Sequence, residues 1–96
     1  MTYADQLIED SIKKGHSFLI LEPREVFAPS VMELHPTEKR LVYKVDILLS
    51  CLSKQYDWDA VEALEWFDYN IMSLTHMDGG PIFYDEFSEN YLTIDE

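Results

Sequence analysis

The apolar positions of this chain change period several times, and each change marks an element. Thr2 and Asp5 have the spacing of a capping box, and Ala4, Leu7, Ile8 and Ile12 then recur at helical intervals. Lys13 and Lys14 suit the last turn of that helix and Gly15 suits its end, so the pattern predicts a helix over residues 3–14. Phe18–Leu21 is a short unbroken apolar run closed by Pro23, which reads as a buried strand. Arg24–Ser30, bounded by prolines, is expected to be a loop or a single helical turn. Val31–His35 and Leu41–Lys44 alternate around Pro36–Arg40 and read as a hairpin with a longer loop.

From Val45 the period becomes helical again. Val45, Leu48, Leu49 and Leu52 predict a helix ending near Lys54. Asp57 is expected to cap the next helix, about Trp58 to Met72, whose buried stripe would run through Ala60, Val61, Leu64, Phe67, Ile71 and Leu74. Asp78–Pro81 breaks the chain, and Ile82–Tyr84 adds a strand. The end keeps Phe87, Tyr91, Leu92 and Ile94 among acids, so residues 84–96 form an acidic tail expected to pack, on this chain or on another copy. The sum is one α+β domain over residues 1–96, with about three helices on a short, mainly antiparallel sheet.

Charge changes the picture. Lys54 is the last basic residue, and the 42 residues after it carry 11 of the 19 acids and none of the seven bases. The net charge of −12 lies beyond the magnitude of roughly 2–8 that suits a small domain. Such a charge disfavours direct contact with phosphate backbones or anionic membranes and favours basic partners. The same stretch is rich in aromatics, unlike a merely solvating tail, so it is expected to fold and to present a surface of one sign. One cysteine, Cys51, excludes an intrachain disulfide and fits a reducing compartment. Met1–Asp10 has acids where a signal peptide needs positive charge, and no run approaches membrane-spanning length, so the expected location is the cytoplasm.

The candidate chemistry is sparse. Glu62, Glu65 and Asp68 fall at i, i+3 and i+6 beside Trp66 and Tyr69. The plain reading is a solvated helix face; the functional one is a surface that imitates the charge of a nucleic-acid backbone, joined by tail carboxylates such as Asp85 and Glu86. Large aromatics flanked by acids would suit a basic, partly apolar groove on a partner. His35, His76 and Asp78 lack metal-ligand spacing, so no metal is expected. Cys51 reads as a small buried hydrophobe, and Gly79-Gly80 as a turn. The chain carries no phosphate-loop, dinucleotide or nucleophile-elbow motif, and neither an enzyme nor a cofactor is expected.

Leu41-Val-Tyr-Lys44, the helix Asp59–Asn70 and Gly80-Pro-Ile-Phe83 together resemble a family of small uncharacterised bacteriophage proteins. Members pair an (R/L)VY strand with an EAxEWFxYN-type helix, here Glu62–Asn70, and close with a G-x-PIF-like strand. Pro23–Val26 falls in the family's upstream part, so the resemblance covers residues 22–83, most specifically in the helix. Asp78-Gly79-Gly80 departs from the family's glycine–acid spacing, and the acidic tail is this chain's own. The resemblance implies a phage origin and an accessory role, and it assigns no catalytic residue.

These readings converge on a phage accessory protein, acting in the host cytoplasm, that binds and inhibits a host protein with a basic surface, such as a nucleic-acid-binding or defence protein. Glu62, Glu65, Trp66, Asp68, Tyr69, Asp85 and Glu86 are the expected contacts. One alternative is a homo-oligomeric module that sequesters a small anion or nucleotide through Arg24, Lys39, Arg40 and Lys44. The other is a minor structural or assembly protein.

Overall fold

The computed structural model describes residues 2–86 and 88–91. Helix α1 (Tyr3–Lys13), the short helix α2 (Arg24–Phe27) and a 3-10 turn at Ala28–Ser30 lead into strands β1 (Val31–Leu34) and β2 (Leu41–Lys44). Helices α3 (Val45–Tyr56) and α4 (Ala60–Asn70) follow. A second 3-10 turn, Met72–His76, returns the chain to β3 (Ile82–Asp85) and β4 (Asn90–Tyr91). The strands form one sheet in the order β1-β2-β3-β4. Its two outer pairings are antiparallel and its central pairing, Val42 with Ile82 through Lys44 with Tyr84, is parallel. A parallel pair needs a long crossover, and α3 with α4 supplies it.

The fold is therefore α+β, with the helices packed on one face of a mixed sheet. Leu41, Tyr43 and Phe83 from the sheet share a core with Leu48 and Leu52 of α3, Ala63 and Phe67 of α4, and Ala4 and Ile8 of α1. Phe67 and Phe83 meet edge to face at 5.0 Å, which locks α4 to β3. On the other face Val42 and Ile82 pair and are buried too. Lys44, Tyr84 and Tyr91 share that face by register. The Tyr84 and Tyr91 rings meet edge-on at 5.5 Å, and Tyr91 reaches the His35 ring at 5.5 Å and the Glu33 carboxylate at 3.4 Å.

Several expectations hold. Thr2 caps α1, its hydroxyl accepting from the Asp5 amide at 3.1 Å. The 31–35/41–44 hairpin forms, with a register irregularity between Val31 and Glu33. Helix α3 buries Val45, Leu48 and Leu52 as its spacing predicts.

Three expectations need correction. Phe18–Leu21 is not a strand of the sheet. Strand β2 is flanked on both sides, so no free edge remains beside it; instead the Leu19 amide donates to the Gly79 carbonyl (2.8 Å) and the Leu21 amide to the Tyr43 hydroxyl (3.2 Å). Asp57 does not cap α4. It adopts a left-handed conformation (φ 57°, ψ 45°) that ends α3, a role a short Asx side chain tolerates, and Asp59 is the cap. The buried stripe of α4 is Ala63, Phe67 and Ile71, while Val61 and Leu64 stay 64% and 46% exposed and Ala60 is exposed too. Ala63 is fully buried, and a small residue at the contact lets α4 approach its neighbours closely. The tail residues Phe87, Leu92 and Ile94, and the acidic stretch 92–96, lie outside the described residues.

Candidate protein-binding surface

The site is built by the start of α4. The Asp59 side chain accepts from the Glu62 amide at 2.8 Å, and the Glu62 carboxylate accepts from the Asp59 amide at 3.1 Å, a complete capping box. That box sets the helix register. With Ala63, Phe67 and Ile71 turned to the core, the opposite face carries Val61, Glu65 and Tyr69 at i, i+4 and i+8. Glu62 flanks this row on one side, and Leu64 and Asp68 on the other. Tyr69 is 84% exposed. All three acids of the predicted ridge are exposed, and among the described residues none of them forms an ion pair. Residues 62, 65 and 68 climb the helix in steps of about 4.5 Å, against roughly 3.4 Å of axis per phosphate on one DNA strand. Each step also turns about 60° around the helix, so the acids form an oblique band, sparser than the phosphates of one strand and far sparser than those of a duplex.

Beside the ridge lies an aromatic ladder. Tyr56 stacks on Trp58 (centroids 4.9 Å apart, planes at 27°), and Trp58 packs on Trp66 at 5.8 Å. Both indoles are half-buried and Tyr56 is exposed. Trp66 also forms one wall of an apolar groove of about 380 Å3 with Leu19, Leu21, Phe27, Ile71 and Met77. Trp66 thus joins the ladder to the groove, with Glu62 one turn before it on the same side of α4.

Asp85 and Glu86 stand apart from this arrangement, at the end of β3. Glu86 pairs with Lys44 at 2.9 Å; that hydrogen bond, with help from the Asp46 carboxyl, holds Glu86 below the usual carboxylate range and raises Lys44. Asp85 accepts from the Ser88 hydroxyl at 3.1 Å. The four bases of the alternative reading do not converge. Arg24 pairs with Asp5 at 3.7 Å, and Lys44 with Glu86. Lys39 and Arg40 share a polar hollow of about 400 Å3 with His76 and Asp78, where Arg40 donates to the Thr75 carbonyl at 2.9 Å and faces Glu38 at 3.7 Å.

Among the described residues no group of three His, Cys, Asp or Glu side chains is placed to hold a metal. His35 serves its own turn instead, its Nδ1 accepting from the Thr37 and Glu38 amides. Cys51 is half-buried, and burial pushes its thiol up, away from the reactive thiolate. No helix among the described residues is long and apolar enough to cross a membrane.

The spacing alone does not reveal Tyr56, Val61 and Leu64 as surface. The signal was present in Asp59-x-x-Glu62: taking it as the capping box puts Ala63 and Phe67 inside and Val61 outside. No protein-family model, curated protein or solved structure matches the chain.

Proposed function

We propose that this chain is a non-enzymatic bacteriophage accessory protein that binds and inhibits a basic, nucleic-acid-binding host protein in the host cytoplasm. The observation that carries the reading is the α4 face. Three acids that form no ion pair among the described residues stand there, Glu62 serving also in the cap, among three exposed apolar side chains, Val61, Leu64 and Tyr69. Val61, Leu64 and Tyr69 crowd one helix face instead of being scattered singly, and a face meant for another copy would set acid against acid. A basic partner with an apolar seam satisfies both. The acids of the ridge fit a basic groove of the kind that holds a nucleic-acid backbone. The resemblance to phage accessory proteins supports a host protein as the target.

The test is capture from host lysate at low salt, followed by titration of the purified captured protein. Glu65→Lys with Asp68→Lys reverses the ridge and leaves the Asp59–Glu62 cap intact, so the domain stays folded. Affinity is expected to fall at least about tenfold on reversal and to weaken steeply as salt rises. Affinity unchanged by the double reversal would sink the reading.

A further inference from the structure

The ladder adds a chemical preference to the ridge. Trp58 covers one face of the Tyr56 ring, yet Tyr56 keeps 41% of its surface exposed, and the stack continues through Trp58 to Trp66. A stacked aromatic with an open face is a site for a flat cation, because the ring's negative face attracts charge and its plane matches a guanidinium. Acids surround it. Asp57 and Asp59 flank Trp58 in the chain, and Glu62 sits one helical turn from Trp66 on the same side of α4. Lys54 is the one base close in sequence, and it lies at the end of α3. Helix capping accounts for Asp59 and Glu62, left-handed termination for Asp57, and packing against the core for Trp58 and Trp66, but none of these calls for Tyr56 to stack on the outer side of Trp58.

We infer that the Tyr56–Trp58–Trp66 ladder is an arginine platform. A partner's guanidinium lies on the open face of Tyr56, with the acids around Trp58 supplying the counter-charge. The inference rests on the protein-binding reading above and narrows its partner to one that presents arginine in preference to lysine. Lysine's compact, strongly hydrated ammonium gains less from a stacked ring.

The two tryptophans of the chain are both in the ladder, so its own fluorescence reports occupancy. The intact protein is titrated with an oligoarginine peptide and with the oligolysine peptide of equal length, reading tryptophan emission and the anisotropy of a labelled peptide. The arginine peptide is expected to bind about three- to tenfold more tightly and to shift the emission. Tyr56→Leu should erase that preference while keeping the lysine affinity, and Tyr56→Phe, which retains the ring, should restore it; far-UV circular dichroism checks that both variants fold. Equal binding of the two peptides would overturn the arginine assignment and leave the basic-partner reading standing. A preference that survives Tyr56→Leu would overturn the ladder as its source. If neither peptide binds, the arginine platform falls, while the basic-partner reading still stands or falls on the lysate capture and the Glu65→Lys, Asp68→Lys reversal.

Discussion

The Tyr43 hydroxyl accepts from the Leu21 amide at 3.2 Å, and this bond ties the 18–21 segment to β2, which is flanked by strands on both sides. Burial pushes the Tyr43 phenol up to about 12 from its ordinary 10.0, the Leu21 hydrogen bond opposing part of the rise. A folded-state value above the unfolded one means the contribution to stability is whole below about pH 10 and is lost as pH climbs toward 12, at up to about 1.4 kcal/mol per unit. Tyr43→Phe leaves the Leu21 amide without its acceptor and is expected to cost about 1–3 kcal/mol near neutral pH. Urea unfolding from about pH 8 to 11 should show the native protein and this variant converging as pH rises. A gap that stays constant would mean the phenol does not titrate as its burial implies.

Gly80 makes a second prediction at this scale. A Cβ built there would overlap the Leu74 carbonyl oxygen, and the Gly80 amide donates to the Met77 carbonyl at 2.8 Å. Gly80→Ala should therefore destabilise by about 3 kcal/mol, seen as a lowered melting temperature. The pair Gly79-Gly80 is more than a turn: Gly79, at φ +72°, also brings its backbone against Phe18.

Among the elements, α4 carries the most consequence because its register decides which side chains face outward. Asp59→Ala removes half of the capping box and is expected to cost about 1 kcal/mol, with added amide exchange confined to the first turn of α4. Glu62→Lys carries the same cost, which is why charge reversal at Glu65 and Asp68 is the cleaner probe of the surface. The legibility of the fold follows the same line. Helices α1 and α3 and the β1–β2 hairpin were readable because local period and caps agree with the final packing. The failures occurred where a local pattern had two solutions. Phe18–Leu21 has the composition of a strand, but pairing depends on strand order, which no local pattern contains. Asp57 and Asp59 both satisfy cap preferences, and the apolar positions of α4 form a band wider than the core takes: Phe67 and Ile71 go inside, while Val61 and Leu64 at its other margin stay exposed. The acids of the ridge were legible from their spacing. The ladder was not, because Tyr56–Trp58 stacking depends on a left-handed Asp57 between them.

For the molecule as a whole, charge works against the fold and for the interaction. Eleven acids follow Lys54 with no base among them, so self-repulsion strains the second half of the chain. Added salt should raise the melting temperature by screening that repulsion, and should weaken partner binding at the same time. The two responses have opposite signs, so calorimetry and titration over one salt series separate them. Melting that falls with salt would mean that ion pairs, such as the three among the described residues, outweigh the repulsion.

The parallel pairing of β2 with β3 has a consequence for synthesis on the ribosome. Strand β2 emerges with its hairpin partner β1, but its other edge waits for the 37 residues between Lys44 and Ile82 to be translated. Until then Leu41, Val42 and Tyr43, all buried in the finished protein, stand beside an open row of amides and carbonyls. Strand β3 is the one that seals this edge, so a nascent chain stalled before Ile82 is a client for whatever chaperone waits outside.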